Sequence, residues 1–460
     1  LHSTSRRQRQ MCIRDSLSYA YDGKYMAEVN MGYNGSENFA KGHRWGFFPS
    51  IALGYNISEE SFFEPLRKVI TSMKLRGSWG LVGNDQIGGE RFIYMPTINL
   101  SGKGFTTGID QNYGLSGPVY TRYENNSITW EVGEKINLGI DLQLLNSLNI
   151  VVDIFRETRR DIFQKKGTIP TYLGTGNTDV FGNLAEMKNQ GLDLSIDYNK
   201  AFSKDFYMNF KGTFTYAHNE ITKYDEAPKY AFQSKVGQSA NVSQGYLSNG
   251  LFLDEAEIDR YNQQMGSTLG AGDIKYLNVS NMHGYGDDIV DVDDWTWIGN
   301  PTVPEIVYGF GPSFKYKNWD FSFFFQGVAK TSLFMSGFHP FGDNSLRNVL
   351  QFVANDRWSP TNQNVDAKYP RLTRKTSLNN TNPGNSGRTS DYWMRDGSFL
   401  KLKNMELGYT FKRMRFYISG SNLLTFSKFD LWDPEQGGGS GLKYPTQRVF
   451  NVGFQMTFNN

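Results

Sequence analysis

Along much of this chain apolar and polar residues alternate one by one, and the segment before the C-terminus does so without a break. Phe450, Val452, Phe454, Met456 and Phe458 share one parity, and Asn451, Gly453, Gln455 and Thr457 share the other. A β-strand sends successive side chains to opposite faces, so a period of two predicts a strand with one large apolar face and one small polar face. The period recurs upstream. Ile136, Leu138, Ile140, Leu142 and Leu144 alternate with Lys135, Asn137, Gly139, Asp141 and Gln143, and the chain returns through Leu148, Ile150, Val152 and Ile154. Leu192, Leu194, Ile196 and Tyr198 oppose Asp193, Ser195 and Asp197, and Phe206, Phe210 and Phe214 oppose Asn209, Lys211 and Thr213. With 17–21, 24–33, 48–57, 73–81, 304–316, 319–330, 399–411 and 414–422, this makes roughly thirteen candidate strands, with one or two more expected inside the loops. Within 399–411 the apolar parity slips between Leu402 and Met405, which predicts a bulge near Asn404.

The links between these strands are of two kinds. Asp22-Gly23, Asn146-Ser147, Lys317-Asn318 and Lys412-Arg413 are tight turns, and Asp-Gly in particular suits a two-residue hairpin. At the opposite ends the stretches Val82–Thr129, Arg159–Met187, His218–Val303, Thr331–Ser398 and Leu423–Thr446 are long and irregular, as in Gly174-Thr175-Gly176-Asn177 and Gly437-Gly438-Gly439-Ser440-Gly441. A compact soluble domain rarely carries several loops beyond about 15 residues. Short turns at one end and long loops at the other are the asymmetry of bacterial transmembrane barrels, whose short turns are periplasmic and whose long loops are extracellular. The exception among the short links is Ser58–Ser72, where Glu59, Glu60, Leu66 and Val69 predict one or two helical turns.

Composition narrows this reading. Mean hydropathy is low at −0.52 and no apolar run is long enough for a membrane helix, which needs about 18 residues. A spanning strand needs only about 9–11 residues, half of them apolar, so low hydropathy leaves a barrel open. The formal charge of +2 gives no reason to expect nucleic acid, and the single Cys12 excludes an internal disulfide framework. Residues 1–16 differ from the rest: they carry Arg6, Arg7, Arg9 and Arg14 and show no alternation. Met11-Cys12-Ile13-Arg14-Asp15-Ser16 looks like translated adapter sequence, so the native protein is expected to begin near Leu17, the alternative being a disordered native tail.

No catalytic signature is present: the five histidines are scattered, and there is no zinc helix, nucleophile elbow or phosphate loop. Aromatic residues at strand ends, such as Tyr198, Tyr216 and Tyr409, suit a membrane interface. Trp295, Trp297, Trp358, Tyr392, Trp393 and Trp432 lie in the loops instead and are the candidates for contact with a substrate or partner. Flat ring faces beside Asp and Asn are what a sugar needs, while loop–loop packing is the competing role. Asp287, Asp288, Asp291, Asp293 and Asp294 lack the ligand spacing of a calcium loop, so no metal and no cofactor are expected.

Several segments resemble the SusC/RagA family of TonB-dependent outer-membrane transporters. They are YDGKY from Tyr21, RWGFFPSIALG from Arg44, LRGSWGLVGN from Leu75, AEMKNQGL from Ala185, Ile298-Gly299-Asn300-Pro301, DYWMRDGSFLKLKNMEL from Asp391, SNLLT from Ser421 and Asp433-Pro434-Glu435. They run in the family's order across residues 17–460, although the Asp-x-Asn-x-Asp-Gly loop that often precedes Ile-Gly-Asn-Pro is here Asn278-Val279-Ser280-Asn281-Met282-His283. The resemblance implies the C-terminal part of a 22-stranded all-β transmembrane antiparallel barrel without its plug domain. It also implies residence in the Gram-negative outer membrane and active import of an oligosaccharide or other oligomer such as a peptide. Partners would be TonB, through the missing N-terminal part, a SusD-like surface lipoprotein as lid, and outer-membrane lipid. Two rivals stand beside it: a secreted all-β carbohydrate-binding or adhesive protein, and a glycoside hydrolase whose acid pair the sequence does not single out.

Overall fold

The computed structural model describes residues 10–86, 91–170, 172, 179–261, 263–264, 269–285, 287–335, 349–372 and 389–458. The first nine residues, the Gly174–Asn177 run and parts of the stretch Thr331–Ser398 therefore lie outside the described residues. The chain forms two compact units, one from residues up to Asp197 with Ala217–Ala227 and Lys235–Ser239, the other from Tyr198–Tyr216, Pro228–Ser234 and Ala240–Asn460.

In the first unit the long strands are β1 (Gln10–Tyr21), β2 (Tyr25–Ser36), β3 (Trp45–Asn56), β4 (Ile70–Asn84), β5 (Glu131–Leu144), β6 (Leu148–Lys165) and β7 (Phe181–Ala201), each beside the next in chain order. The second unit holds the first part of β8 (Phe206–Lys223), whose end belongs to the first, with β9 (Ile306–Tyr316), β10 (Trp319–Ala329), β11 (Phe399–Phe411), β12 (Met414–Ser427) and β13 (Val449–Met456), in chain order and antiparallel. Sequential antiparallel neighbours are what short hairpin links impose. The Asp22-Gly23 link has φ of 52° and 64°, the left-handed pair that a two-residue hairpin turn needs and that Gly accepts without strain. The connection after β3 forms two short 3₁₀ turns, Ile57–Glu59 and Ser61–Leu66. The long connection after β4 contains the additional hairpin Thr97–Thr107 with Tyr113–Arg122.

Cross-strand partners point to the same side, so the register fixes the two faces. On one face of the first unit Leu75 pairs Ile140, Trp79 pairs Ile136 and Leu138 pairs Ile154. On the other, Arg76 pairs Gly139, which pairs Asp153. The second unit repeats the division. Phe206 pairs Tyr316, Phe314 pairs Phe321, Phe321 pairs Leu407, and Ile418 pairs both Leu407 and Val452. The opposite face carries Ser322 with Glu406, and Arg415 with Gln455. The expected bulge is present: pairing skips Lys403 between Leu402 and Asn404, and this restores Met405 and Leu407 to the apolar side.

β6 and β7 run well past the alternating segments, to Lys165 and from Phe181, so the connection expected over Arg159–Met187 is shorter than its sequence suggests. Charge hides the extension. Arg159 pairs Glu131 at 3.3 Å and Arg160 pairs Glu134 at 2.7 Å, so polar residues occupy both faces and the period of two disappears although the backbone ladder continues.

Candidate functional site

The polar face is organised around arginines held between two carboxylates. Arg76 lies 2.7 Å from Asp141 and 3.0 Å from Asp153, drawing β4, β5 and β6 together. Arg415 on β12 pairs with Asp320 of β10 and Glu406 of β11 in the same manner. A guanidinium presents its donors as a rigid fork, so one arginine can satisfy acids on two neighbouring strands. The result is a charged, internally compensated surface opposite an apolar one.

At the long-loop end of the second unit the connections build a core of their own. Short strand pairs organise it: Ser243–Gly245 with Thr296–Ile298, Ser248–Leu251 with Ile274–Tyr276, and Ser332–Phe334 with Met394–Asp396. Tyr246, Leu251, Tyr276, Ile298, Met335 and Trp393 are all at most 2% exposed within it. The first unit has a smaller counterpart, in which Phe39, Ile93, Ile128 and Trp130 close over Phe48.

The six candidate aromatic residues are spent largely on this packing. Trp358 and Trp393 are buried in the core, and Trp295, Tyr392 and Trp432 pack against it. Tyr392 donates its hydroxyl to the Ala367 carbonyl at 2.8 Å, and burial pushes its pKa upward. Trp432 donates Nε1 to the Gly437 carbonyl at 2.9 Å, and half-buried Trp297 donates to the Ser234 carbonyl at 2.9 Å. The structure thus gathers five of the six on one core and holds Trp297 at its edge.

The segments that carried the family resemblance meet in space as joints. Asp433 and Glu435 both reach the Lys401 ammonium, which is 1% exposed, and Glu435 also binds Lys403 at 2.7 Å. Burial favours the neutral carboxyls of Asp433 and Glu435, but the lysine ammoniums outweigh it and hold both below their usual range. Gly299, at φ +66°, lies so close to Met394 that an added Cβ would come within 1.9 Å of its sulfur, and the Asn300 amide donates to Ser332 Oγ at 2.9 Å. Only glycine fits both the conformation and the space. Buried Asp273 receives Arg371 in two hydrogen bonds of 2.6 and 2.9 Å.

The acidic stretch is equally engaged. Asp294, fully buried, accepts the Ser280 and Asp291 amides at 2.9 and 2.8 Å, while Asp291 caps the turn that follows it. Burial raises the Asp294 pKa despite these donors. Asp287 accepts from Asn278 and Ile289, and Asp293 binds Lys229. Among the described residues no group of three or more potential metal ligands converges. A cavity of about 570 Å³ opens beside the Lys401 joint, between Gln326, Phe399, Phe334, Glu435 and the Gly437–Gly439 backbone.

Two antiparallel strand runs with opposed apolar and ion-paired faces, short turns and self-cored long loops define an outer-membrane barrel wall with its surface loops. The match to known families agrees. Residues 13–423 match the model described as TonB dependent receptor-like, beta-barrel, and the chain belongs to that family, whose barrels reside in the outer membrane. It is 27% identical to the TonB-dependent receptor SusC of Bacteroides thetaiotaomicron over 96% of its length and 43% of that protein. It is 26% identical to the TonB-dependent receptor P3 of Formosa agariphila over 96% of its length and 45% of that protein. The chain therefore spans less than half the length of these curated relatives. Among solved structures, the RagAB peptide transporter shares the fold at a TM-score of 0.71 and 20% identity, covering 98% of this chain and 48% of that one.

Proposed function

We propose that this chain forms wall and surface loops of a SusC/RagA-type importer, which takes up an oligosaccharide across the outer membrane with a SusD-like lipoprotein as lid and TonB as the source of energy. The observation that carries the reading is the division of faces. One face offers lipid an apolar surface, and the other lines a path with arginines already neutralised by carboxylates, so that a polar solute meets hydrogen-bonding groups without a strong net field. Long loops with their own packed core supply a rigid docking surface at one end. Relatives described as receptors support a transport role over the adhesive and hydrolytic alternatives. Peptide is the second cargo to consider, because the fold neighbour RagAB is described as a peptide transporter.

The test is uptake of fluorescently labelled neutral oligosaccharides and of a labelled peptide pool by cells carrying the complete receptor, with and without functional TonB. TonB-dependent entry of the oligosaccharide and not the peptide supports the reading. Entry of neither, from a receptor correctly inserted in the outer membrane, removes it.

A further inference from the structure

We propose that Tyr230, Phe232, His283 and Tyr285 form a stacking platform for the pyranose rings of a neutral oligosaccharide at the loop end of the second unit. The proposal rests on the importer reading and assigns it a binding surface that differs from the loop tryptophans. The four rings make two layers. Tyr285 lies over Tyr230 with ring centroids 4.3 Å apart, and His283 lies over Phe232 at 4.6 Å and 14° between planes. Tyr230 and Phe232 are themselves nearly parallel, at 5.5 Å and 13°. Each outer ring thus has an aromatic ring at its back. Tyr285 is 50% exposed and His283 is exposed, whereas Tyr230 and Phe232 are half-buried.

The base of the platform is fixed. His283 caps the one-turn helix Val279–Met282, whose Ser280 amide is held by buried Asp294, and the Tyr285 amide returns to the Ser280 carbonyl at 3.0 Å. The segment bearing Tyr230 and Phe232 is tied by Gln233, which donates to the Val292 and Asp293 carbonyls, and by Trp297, which donates to Ser234. Exposed aromatic rings held in place lose little entropy on binding, and a flat face suits the axial C–H groups of a sugar ring.

The surroundings favour a sugar over a peptide. Lys229 lies 5.2 Å over the Tyr230 ring and is already paired with Asp293, so this cation is not free to receive a peptide carboxylate. The rings are borne on a 3₁₀ turn and the end of a short helix, which present no extended edge for strand addition, a common mode of peptide capture. The Tyr285 hydroxyl and the His283 imidazole nitrogens hydrogen-bond no other described residue, which leaves them for sugar hydroxyls.

The test is titration calorimetry on the detergent-solubilised complete receptor with maltohexaose, cellohexaose and xylohexaose, and with a tryptic peptide pool as comparison. Wild type is expected to bind at least one hexasaccharide. Tyr285→Ala and His283→Ala are each expected to weaken it about tenfold, while Tyr285→Phe, which keeps the stacking face, retains most of the affinity. Both alanine variants sit at the surface, and an unchanged melting temperature confirms that they fold. Unchanged hexasaccharide affinity in both overturns the platform, as does binding confined to the peptide pool. If the variants lose neither binding nor uptake, the importer reading stands without this site; if wild-type cells take up no oligosaccharide, the reading beneath it falls.

Discussion

Leu138 gives the sharpest test of the face assignment. It lies seven residues from Leu145 at the β5–β6 turn, which at about 3.3 Å per residue and a tilt of about 40° places it roughly 18 Å above the turn, inside an apolar band about 25 Å tall. It is 61% exposed, and its cross-strand partners on that face are Gly77 and Ile154, neither of which can pair with a cation. The nearest acid on the same face along β5 is Glu134, already bound to Arg160. Leu138→Arg is therefore expected to cost about 2–4 kcal/mol. The control is the adjacent Asn137→Arg. It points to the other, polar face, between Ser78 and Phe155 and beside the cluster of Arg76, Asp141 and Asp153, where a guanidinium meets hydrogen-bonding groups and not lipid, and the expected cost is within about 1 kcal/mol. Reversible urea titration of the complete receptor folded into lipid vesicles would measure both. Equal costs, or a larger cost at Asn137, would refute the assignment of lipid and lumen faces.

Other consequences are equally direct. Lys401→Met leaves Glu435 with Lys403 alone and Asp433 without its cation, and should release the connection between β12 and β13 at a cost of about 3 kcal/mol, read as faster hydrogen exchange over 434–448. The two carboxyls are held below their usual pKa, so this joint contributes its full stability at neutral pH and loses it progressively as pH falls below about 4; the same exchange measurement at successively lower pH should move towards the variant, and protection that does not decline with falling pH would contradict the account. Gly299→Ala forces a positive φ on alanine and a clash with Met394, and should lower the melting temperature of the loop cluster while leaving the strand transition in place. The chain expressed alone in plain buffer should aggregate, since Leu138, Ile154, Phe416, Ile418, Val452 and Phe454 are all exposed; a monodisperse monomer with cooperative unfolding would contradict the membrane assignment. Excising Gly284–Trp297 is a poor probe of recognition, because it would also remove the fully buried Val290 and Asp294.

Much of the wall was legible from residue order alone, because in a strand the physics is local. Side chains alternate by stereochemistry, so Leu138 and Ile140 had to share a face opposite Asn137 and Asp141 wherever the strand went, and the parity slip before Met405 put a bulge near Asn404, one residue from Lys403, which the pairing skips. The hairpin at Asp22-Gly23 likewise depends only on the backbone freedom of two residues. The loops obey no such rule. The strand pairs that build the loop core of the second unit are three or four residues long, too short to show a period, and whether a ring is buried depends on what distant segments bring to it. Trp393 is enclosed by Tyr369 and Tyr392, and Phe232 meets His283 from another part of its loop. Composition marked Trp358 and Trp393 as candidates because they are large and flat, and those same properties make them good core residues. Alternation along single strands thus determined the faces, and turn residues with loop lengths pointed to a barrel, while the choice between ring faces spent on packing and ring faces left open to water was made only when the long connections folded against one another.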